Sequence, residues 1–407
     1  MSHFDVTKIR EDFPALKQKI HGKDLVFLDS AASAQKPQCV IDAVTEAYTN
    51  NYANIHRGVY SLSDKATDAY EATRQVVQNF INAESSNEVI FTKGTTEAIN
   101  FLASSLSKKY LQKGDEVILT VMEHHANIVP WQMLSEQIGI KIKFVSMNDQ
   151  GELLFDEYKK LISSKTKLIS LTHCSNVLGT VNDIKKIVQL AHAENIPVLV
   201  DGAQSIVHQA IDIQDLGCDF FVFSSHKLYG PTGVGVLYIK DEWQERIPPY
   251  QGGGDMINTV TLNGYQLAER PHCYEAGTPD IVGVSSLKYA VEYVQKIGLT
   301  NISSHEQMLL KYAHEALADI NGLRILGNAA HKASVVTFVI DGAQASDVGT
   351  LLDLFGIAVR TGHHCAQPLL AHMGVSSTVR ASFGMYNTIE EIDLLVKGLH
   401  KAIKMLR

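Results

Sequence analysis

The sequence is poor in cysteine and has no long apolar run. Its five cysteines among 407 residues are widely spaced and form no CxxC pair. This usage argues against a disulfide framework or a structural zinc site. No apolar stretch approaches the roughly 20 residues that a membrane-spanning helix needs, and the first residues do not resemble a signal peptide. We therefore expect a protein without a membrane partner, located in the cytoplasm.

Positive charge is also scarce. The chain has 36 Lys and Arg against 44 Asp and Glu, a formal net charge of −8, and no run of basic residues. Nucleic acids and anionic membranes favour basic patches, so we expect no nucleic-acid partner. The 45% hydrophobic and 20% charged content is typical of a globular protein.

From residue 88 to residue 239, short apolar segments alternate with helical patterns. This alternation predicts an α/β fold with a mostly parallel central sheet and helices on both faces. After about residue 296 the texture is that of a smaller α+β unit. We expect a large domain at 16–295 and a small domain made of 1–15 and 296–407. In such sheets ligands bind beyond the carboxyl ends of the strands, where the polar clusters of this chain lie.

Lys227 directly follows an apolar segment, in the sequence SSHKLYGPTG. Burial lowers the pKa of a lysine and favours the neutral amine that forms a Schiff base. Asp201 ends the preceding predicted strand, where a carboxylate would keep a pyridine nitrogen protonated. Considered alone, Lys227 would most simply be a lysine on a surface loop, and Asp201 an aspartate in a turn.

Further polar residues follow the neighbouring strands. Gly94, Thr95 and Thr96 open a predicted helix, whose amides and dipole suit a phosphate, although a plain threonine cap is the alternative. Together with Lys227 and Asp201, the strand-end residues fit a phosphorylated pyridine aldehyde. They are Ser224 and His226 for phosphate, His124 to lie on the ring, Gln204 to donate to the phenolic oxygen, and Asn176 to contact a substrate or a ring substituent.

Five segments occur in one order along the chain, namely GTTEAIN, MEHHANIVPWQ, HCSNVLG, LVDGAQ and SSHKLYGPTG. They closely resemble the fold-type-I pyridoxal-phosphate (PLP) enzymes, in particular the cysteine desulfurases and selenocysteine lyases of the class-V aminotransferase family. The segments RTGHHCAQP and VRASFGMYNT resemble the Suf-type group that serves iron–sulfur cluster assembly. The resemblance covers nearly the whole chain.

The resemblance implies a role for each matching residue. For the cofactor it implies Lys227 as the Schiff-base lysine, Asp201 on the pyridinium nitrogen, His124 stacked on the ring, Gln204 on the phenolic oxygen, and Thr96, Ser224 and His226 on the phosphate, with Thr95 as a near alternative. It also implies a homodimer, in which Thr278 reaches the phosphate of the opposite subunit and His56 and Arg57 approach the neighbouring active site. For the substrate it implies Arg380 on the carboxylate, Asn176 nearby, and Cys365 as the sulfur acceptor.

The implied reaction converts L-cysteine to L-alanine and leaves a persulfide on Cys365. L-selenocysteine is a second expected substrate, and a small SufE-type acceptor and the Suf machinery are expected partners. A thiol ordinarily has a pKa of about 8.5, so the attacking thiolate needs help, and His363 and His364 are both candidates. Cys365 as a buried core thiol is the alternative. Zinc is disfavoured, because adjacent loop residues project in alternate directions.

The sequence departs from the family pattern at Ser225, where glycine is expected beside the lysine, and at Cys273 and Tyr274 before the EAGTP segment. Two other functions stay open on the residues alone. A PLP aminotransferase would share Lys227 and Asp201 but would not need Cys365. A non-catalytic sulfur-relay protein on the same fold would need no Schiff base.

Overall fold

A computed structural model describes residues 4–407. The first part of the chain forms helices α1 (Val6–Glu11), α2 (Gln38–Asn50) and α3 (Ser61–Ile81), with the short strands β1 (Lys19–Ile20), β2 (Lys23–Asp24) and β3 (Val26–Phe27). Helix α3 has one buried face, formed by side chains three or four positions apart, namely Ala66, Tyr70, Thr73, Val77 and Phe80. This face packs α3 into the core and leaves its polar face outside.

The central sheet consists of strands that are almost wholly buried, except for the partly exposed edge strand at Lys141–Val145. These are β4 (Val89–Thr92), β5 (Glu116–Thr120), β6 (Lys141–Val145), β7 (Thr166–Thr172), β8 (Val198–Asp201), β9 (Phe220–Ser224) and β10 (Gly235–Ile239). Their order is β4-β10-β9-β8-β7-β5-β6. Strands β5 to β9 pair in parallel, and β10 is antiparallel to both of its neighbours. The predicted mostly parallel sheet is therefore confirmed.

Helices cover both faces of this sheet, as predicted. They are α4 (Thr95–Lys109), α5 (Val129–Ile138), α6 (Phe155–Leu161), α7 (Ile184–Ala193) and the short α8 (Ser205–His208), α9 (Ile213–Leu216) and α10 (Asp241–Gln244). Neighbouring strand residues point to opposite faces. Ile118 therefore joins one hydrophobic cluster, while Val117 and Leu119 join the other. No helix of the described residues is long and apolar enough to cross a membrane.

A hairpin follows the large sheet, formed by β11 (Ile257–Thr261) and β12 (Gly264–Leu267) and followed by α11 (Ile281–Ile297). No strand was predicted at these positions. Nearly every residue of the hairpin is exposed, so no inward-facing apolar period marks its strands. This lack of a buried face explains why the sequence did not predict it.

The rest of the chain begins with α12 (Leu299–Ala318). It continues through β13 (Leu323–Leu326), β14 (Val335–Ile340), α13 (Ala345–Leu354), β15 (Ile357–Ala358), β16 (Arg360–Gly362), α14 (Gln367–His372), β17 (Thr378–Ser382) and α15 (Ile389–Leu406). Four strands form an antiparallel sheet in the order β13-β14-β17-β16. The first three residues of the RTGHHCAQP segment form the edge strand β16, which pairs with β17.

The N-terminal segment packs against both parts of the molecule. Ile9 and Phe13 belong to one of the two clusters that cover the large sheet. Val26 and Leu28 belong to the core of the C-terminal sheet, and β3 pairs in parallel with β15. The domain boundaries at 16–295 and at 1–15 with 296–407 therefore stay a prediction.

Candidate active site

A cavity of about 150 Å³ lies at the carboxyl ends of the parallel strands. Most of the predicted site residues line it, namely Thr95, Thr96, His124, Asn176, Asp201, Gln204, Ser224, His226, Lys227 and Arg380. They come from segments far apart in the chain, which the sheet order brings together. The expectation that polar strand ends meet at one edge of the sheet is confirmed by this geometry.

Asp201 and Lys227 belong to neighbouring parallel strands and the turn that follows. Asp201 pairs with Val222 across β8 and β9, and Lys227 ends a short 3-10 turn after β9. Burial lowers the pKa of Lys227 to about 8, against the opposing effect of Asp201. Burial also raises the pKa of Asp201, partly offset by Lys227 and by the Ala203 N–H. The lysine is thereby more readily the neutral amine that attacks a carbonyl.

Ser225 departs from the family pattern without disturbing the turn. Its hydroxyl is buried and has no hydrogen-bond partner among the described residues. A Cβ at Gly230 would lie 2.2 Å from that Oγ. Gly230 therefore leaves the space in which the extra hydroxyl fits.

The predicted phosphate site is built around the start of α4. The Thr95 N–H donates to Ser224 Oγ at 2.8 Å, and the two hydroxyl oxygens also lie 2.8 Å apart. Gly94 has no side chain to cap the helix, and a Cβ at Gly235 would lie 2.4 Å from Gly94 Cα. This close backbone approach leaves the helix N-terminus, with its positive end, at the cavity wall, where a phosphate is favoured.

His124 is held as a neutral ring. Its Nδ1 accepts from the Ala126 N–H at 3.0 Å, so the ring proton is on Nε2. Burial, followed by the charge of Lys227, lowers the pKa of His124 to about 3. A neutral, fixed, flat ring suits stacking on another aromatic ring. Gln204 uses one amide hydrogen on the Ala31 carbonyl at 2.7 Å, which leaves the second for a ligand.

Arg380 is completely buried and only partly satisfied. Its Nη1 donates to the Asn176 carbonyl at 2.9 Å and its Nη2 to Asp29 Oδ1 at 2.8 Å. Its Nε has no partner within residues 4–407. Buried charged groups are normally paired, and Arg380 lines the cavity, so its positive charge favours an anionic ligand group there.

The loop that carries Cys365 is fastened to the cavity. The Cys365 carbonyl accepts from the His125 N–H at 2.7 Å, and the His364 carbonyl accepts from Asn176 Nδ2 at 2.8 Å. His364 and Cys365 both have positive φ, at 51° and 56°. Two successive residues in this sparsely populated region are strained, and such strain is held by the surrounding contacts.

The cation beside the sulfur is Arg360, which the sequence analysis did not consider. Its Nη2 lies 3.6 Å from Cys365 Sγ. Of the two histidines left open, His364 has its Nε2 on Thr378 Oγ1 at 2.7 Å, and burial lowers its pKa to about 3. His364 is therefore neutral and cannot stabilise a thiolate by charge, and its ring is hydrogen-bonded to Thr378 instead. Arg360 stands five residues before Cys365, but a sequence does not show which way it points.

Four predicted residues do not line this cavity, namely Cys365, whose loop is described above, Thr278, Arg57 and His56. Thr278 lines a separate cavity of about 250 Å³ together with Lys93 and Glu97. Arg57 pairs with Asp255 at 3.3 Å. His56 contacts Glu71 at 3.0 Å.

The side chain of Glu71 also belongs to a group that could hold a metal ion. The ligand atoms of His56, Glu71 and His272 lie within 4.8 Å of one another. Glu71 is already paired with Arg74, whose Nε lies 2.9 Å from Oε2, so the group is accounted for by ion pairing.

The sequence predictions missed two more residues, Cys174 in the cavity and Lys36 beside the Lys227 segment. Cys174 lines the cavity, and burial raises the pKa of its thiol to about 12, so this cysteine is a poor nucleophile. Lys36 donates to the carbonyls of Ala34 at 2.6 Å and His226 at 2.9 Å, tying the turn after β3 to the Lys227 segment. Neither residue carries a sequence signal of its function.

The chain is similar to known proteins in both sequence and structure. The family model "Aminotransferase class-V" matches residues 26–395. A cysteine desulfurase of Yersinia pseudotuberculosis serotype O:1b (strain IP 31758) is 49% identical over 404 residues, 99% of each chain. A cysteine desulfurase of Synechococcus elongatus is 48% identical, but the chain spans only 64% of its length. The chain likewise spans 58% and 65% of two probable cysteine desulfurases, from Mycolicibacterium paratuberculosis and Mycobacterium leprae.

Solved structures agree with this relationship. The cysteine desulfurase CsdA of Escherichia coli superimposes with a TM-score of 0.92 at 40% identity, covering 99% of this chain and 100% of its own. A cysteine desulfurase of Thermococcus onnurineus NA1 gives 0.91 at 36%, covering 97% and 98%. The predicted fold type and cofactor, PLP, are confirmed, and the cavity's open donors and helix N-terminus fit that cofactor. The chain belongs to the class-V aminotransferase family and, within it, to the cysteine desulfurases.

Proposed function

We propose that the protein is a PLP-dependent cysteine desulfurase, which converts L-cysteine to L-alanine and transfers the sulfur to Cys365. The observation that carries the proposal is the bond between the Cys365 carbonyl and the His125 N–H, at 2.7 Å. It fastens a half-buried thiol to the turn whose His124 lines the same cavity as Lys227. An aminotransferase has no use for a thiol at this place.

In this proposal the residues of the cavity wall hold the cofactor and the substrate. Lys227 would hold PLP, Asp201 would serve its ring nitrogen, His124 its ring, and Thr95, Thr96, Ser224 and His226 its phosphate. Bound PLP supplies an electron sink for the charge left on the substrate when its Cα proton is removed. Arg380 binds the substrate carboxylate in the two-pronged geometry that guanidinium groups favour, and Asn176 lies beside it.

Lys227 and Cys365 then move the proton and the sulfur. The pKa of about 8 makes Lys227 a suitable base for the Cα proton near neutral pH. The Cys365 thiolate, beside Arg360, attacks the substrate sulfur. The bond between that sulfur and the substrate carbon breaks, the carbon is protonated, and alanine leaves. Cys365 retains the transferred sulfur as a persulfide, so the atoms and electrons balance.

The active enzyme in this proposal is a homodimer. Thr278, His56 and Arg57 lie outside the cavity of their own chain, as residues that serve a neighbour would. The β11–β12 hairpin exposes large apolar side chains, including Val260, Leu262 and Tyr265, and Arg57 Nη2 donates to the Ile257 carbonyl at its base. A second copy of the chain covering this hairpin would remove that apolar surface from water.

The wider role proposed is sulfur supply for iron–sulfur cluster assembly in the cytoplasm. A small SufE-type acceptor protein would take the persulfide sulfur from Cys365 and pass it to the Suf machinery. L-selenocysteine is proposed as a second substrate, because its selenium occupies the position of the cysteine sulfur in the same cavity. L-Cysteine is the proposed physiological substrate.

The decisive experiment compares wild type with C365A in assays of alanine and sulfide from L-cysteine, with and without a thiol reductant. We expect C365A to lose sulfur transfer by at least about a hundredfold, since the nucleophile is removed. The matched control is C39A, which removes another partly exposed cysteine and should behave as wild type. Undiminished alanine formation in C365A, or transamination of cysteine to its keto acid, would favour an aminotransferase instead.

A further inference from the structure

Glu123 is a completely buried carboxyl immediately before His124, and the mechanism above gives it no task. Its Oε1 accepts from Thr120 Oγ1 at 2.6 Å and from the Thr172 N–H at 3.0 Å. Its Oε2 accepts from Asn127 Nδ2 at 2.7 Å. The donors come from the ends of β5 and β7 and from the turn before α5. One side chain therefore joins three segments that meet behind the cavity.

The direction of these hydrogen bonds is fixed by their neighbours. The indole of Trp131 can only donate, and it donates to Asn127 Oδ1 at 3.1 Å, an oxygen that also accepts from Ser170 Oγ at 2.5 Å. Asn127 must therefore turn its amide hydrogens toward Glu123. The backbone N–H of Thr172 is likewise only a donor. The surroundings thus require an acceptor at both oxygens of residue 123.

Burial and hydrogen bonding oppose each other at this carboxyl. Burial is the larger effect and raises the pKa of Glu123 to about 8, helped by the nearby charge of Asp201, while its three donors lower it. A proton on Oε2 would meet an Asn127 N–H. The neighbours of Glu123 therefore determine where it must accept hydrogen bonds, and they do not by themselves determine its net charge.

The residues between Thr120 and Asn127 carry two groups of the proposed active site. His124 projects into the cavity with its ring fixed by the Ala126 N–H. The His125 N–H holds the Cys365 carbonyl. Because Glu123 bonds to both ends of this turn and to β7, its loss would free both groups together.

We propose that Glu123 is a positioning residue of the desulfurase, which holds the 120–127 turn so that His124 lies against the cofactor and the Cys365 loop stays docked. This inference rests on the proposed function for its second part only, since the placement of His124 affects PLP binding whatever the reaction is.

The test is a swap of hydrogen-bond partners in the holoenzyme. In E123Q the new amide must face either Asn127 Nδ2 or the Thr172 N–H, so two donors meet. We expect the PLP dissociation constant to rise about tenfold and the circular dichroism of the cofactor's visible band to fall, because the ring is no longer held in one orientation. Turnover of cysteine should fall more than its KM changes.

The double variant E123Q/N127D restores the bond between positions 123 and 127 in reverse and leaves Thr120 and Thr172 donating to the remaining oxygen of residue 123. The amide introduced at position 123 then donates to the carboxylate introduced at position 127, whose other oxygen still accepts from Trp131 and Ser170. We expect PLP affinity and the dichroic band to return to within about twofold of wild type, since the complementary pairs are remade. Wild-type behaviour of E123Q, or a folded double variant as impaired as E123Q, would overturn the proposal. If E123Q does not fold, T120V is the milder variant, because it removes only one of the donors to Glu123. An unchanged dichroic band of the cofactor in T120V would then count against the proposal.

E88Q is the matched control. Glu88 is 2% exposed and accepts the N–H groups of Glu84, Ser85 and Asp241 at 3.0 to 3.1 Å. It precedes β4, whose other end leads to Gly94. We expect E88Q to lower stability without altering the cofactor band, and an equal change in the band would show a general packing effect and refute the inference. A wild type that binds PLP but forms no alanine refutes the proposed function while leaving this comparison of PLP affinity intact.

Discussion

Two buried charged clusters in this molecule differ in how completely they are paired. Arg74 is 1% exposed and donates to Glu275 at 2.7 and 3.0 Å, to Glu71 at 2.9 Å and to the Val89 carbonyl at 2.7 Å. Lys227 and Asp201, in the cavity, influence each other's charge, but no residue within 4–407 accepts a hydrogen bond from Lys227 Nζ. Both clusters lie out of bulk water, and only one is complete.

The pKa values follow this difference. The carboxylates around Arg74 raise its pKa despite burial, and burial with too few partners lowers that of Lys227. A saturated cluster stabilises the fold once it is formed, because removing one member strands the others. A cluster with unpaired charged groups can instead bind a ligand. The functional site is therefore marked by charged groups that lack hydrogen-bond partners, and not by buried charge alone.

The strongest way to break the comparison is K227A. We expect activity on L-cysteine to fall by at least about a thousandfold, since the proposed Schiff-base amine and base are both lost. Stability of the apoprotein in urea should stay equal or rise, because burial disfavours the charge of Lys227 and its removal leaves no hydrogen-bonded partner unpaired. Marked destabilisation of apo K227A would show that the lysine supports the fold, contrary to the comparison.

R74M should have the opposite effect, lowering stability without altering the cofactor site. Removing the guanidinium leaves Glu275 buried without its cation, and we expect a loss of about 3–5 kcal/mol in the free energy of unfolding. Chemical denaturation measures it, with R74M/E275Q as the control that removes the stranded charge and recovers part of the loss. The cofactor band of the folded fraction should be unchanged, and its disappearance would place Arg74 in the active site instead.

A pH series sharpens the comparison further. Because the pKa of Lys227 is lowered to about 8, the neutral amine becomes more abundant as pH rises toward that value. The rate of PLP capture by the apoenzyme, followed by its visible band, should increase about tenfold per pH unit below pH 8 and level off above it. A rate that keeps rising up to pH 10 would mean that the amine titrates as an ordinary lysine.

The sequence predicted the elements that bury an apolar face. The alternation of strands and helices indicated the central sheet and the helices that cover it. The residues at the strand ends meet because parallel strands end at one edge. The hairpin at 257–267 and the strand pairing of Arg360–Gly362 were missed, since exposed or very short strands leave no periodic signal.

By itself the sequence determined which residue types stand at which strand ends, and hence the family. Short motifs and their order along the chain can be read without knowing the three-dimensional structure. Only the tertiary structure decided which groups touch. It selected Arg360 rather than His364 as the cation at Cys365, and it put Glu123 behind His124 as the acceptor for three segments. Those choices depend on side-chain direction and burial, which arise from contacts between residues that are distant in the chain.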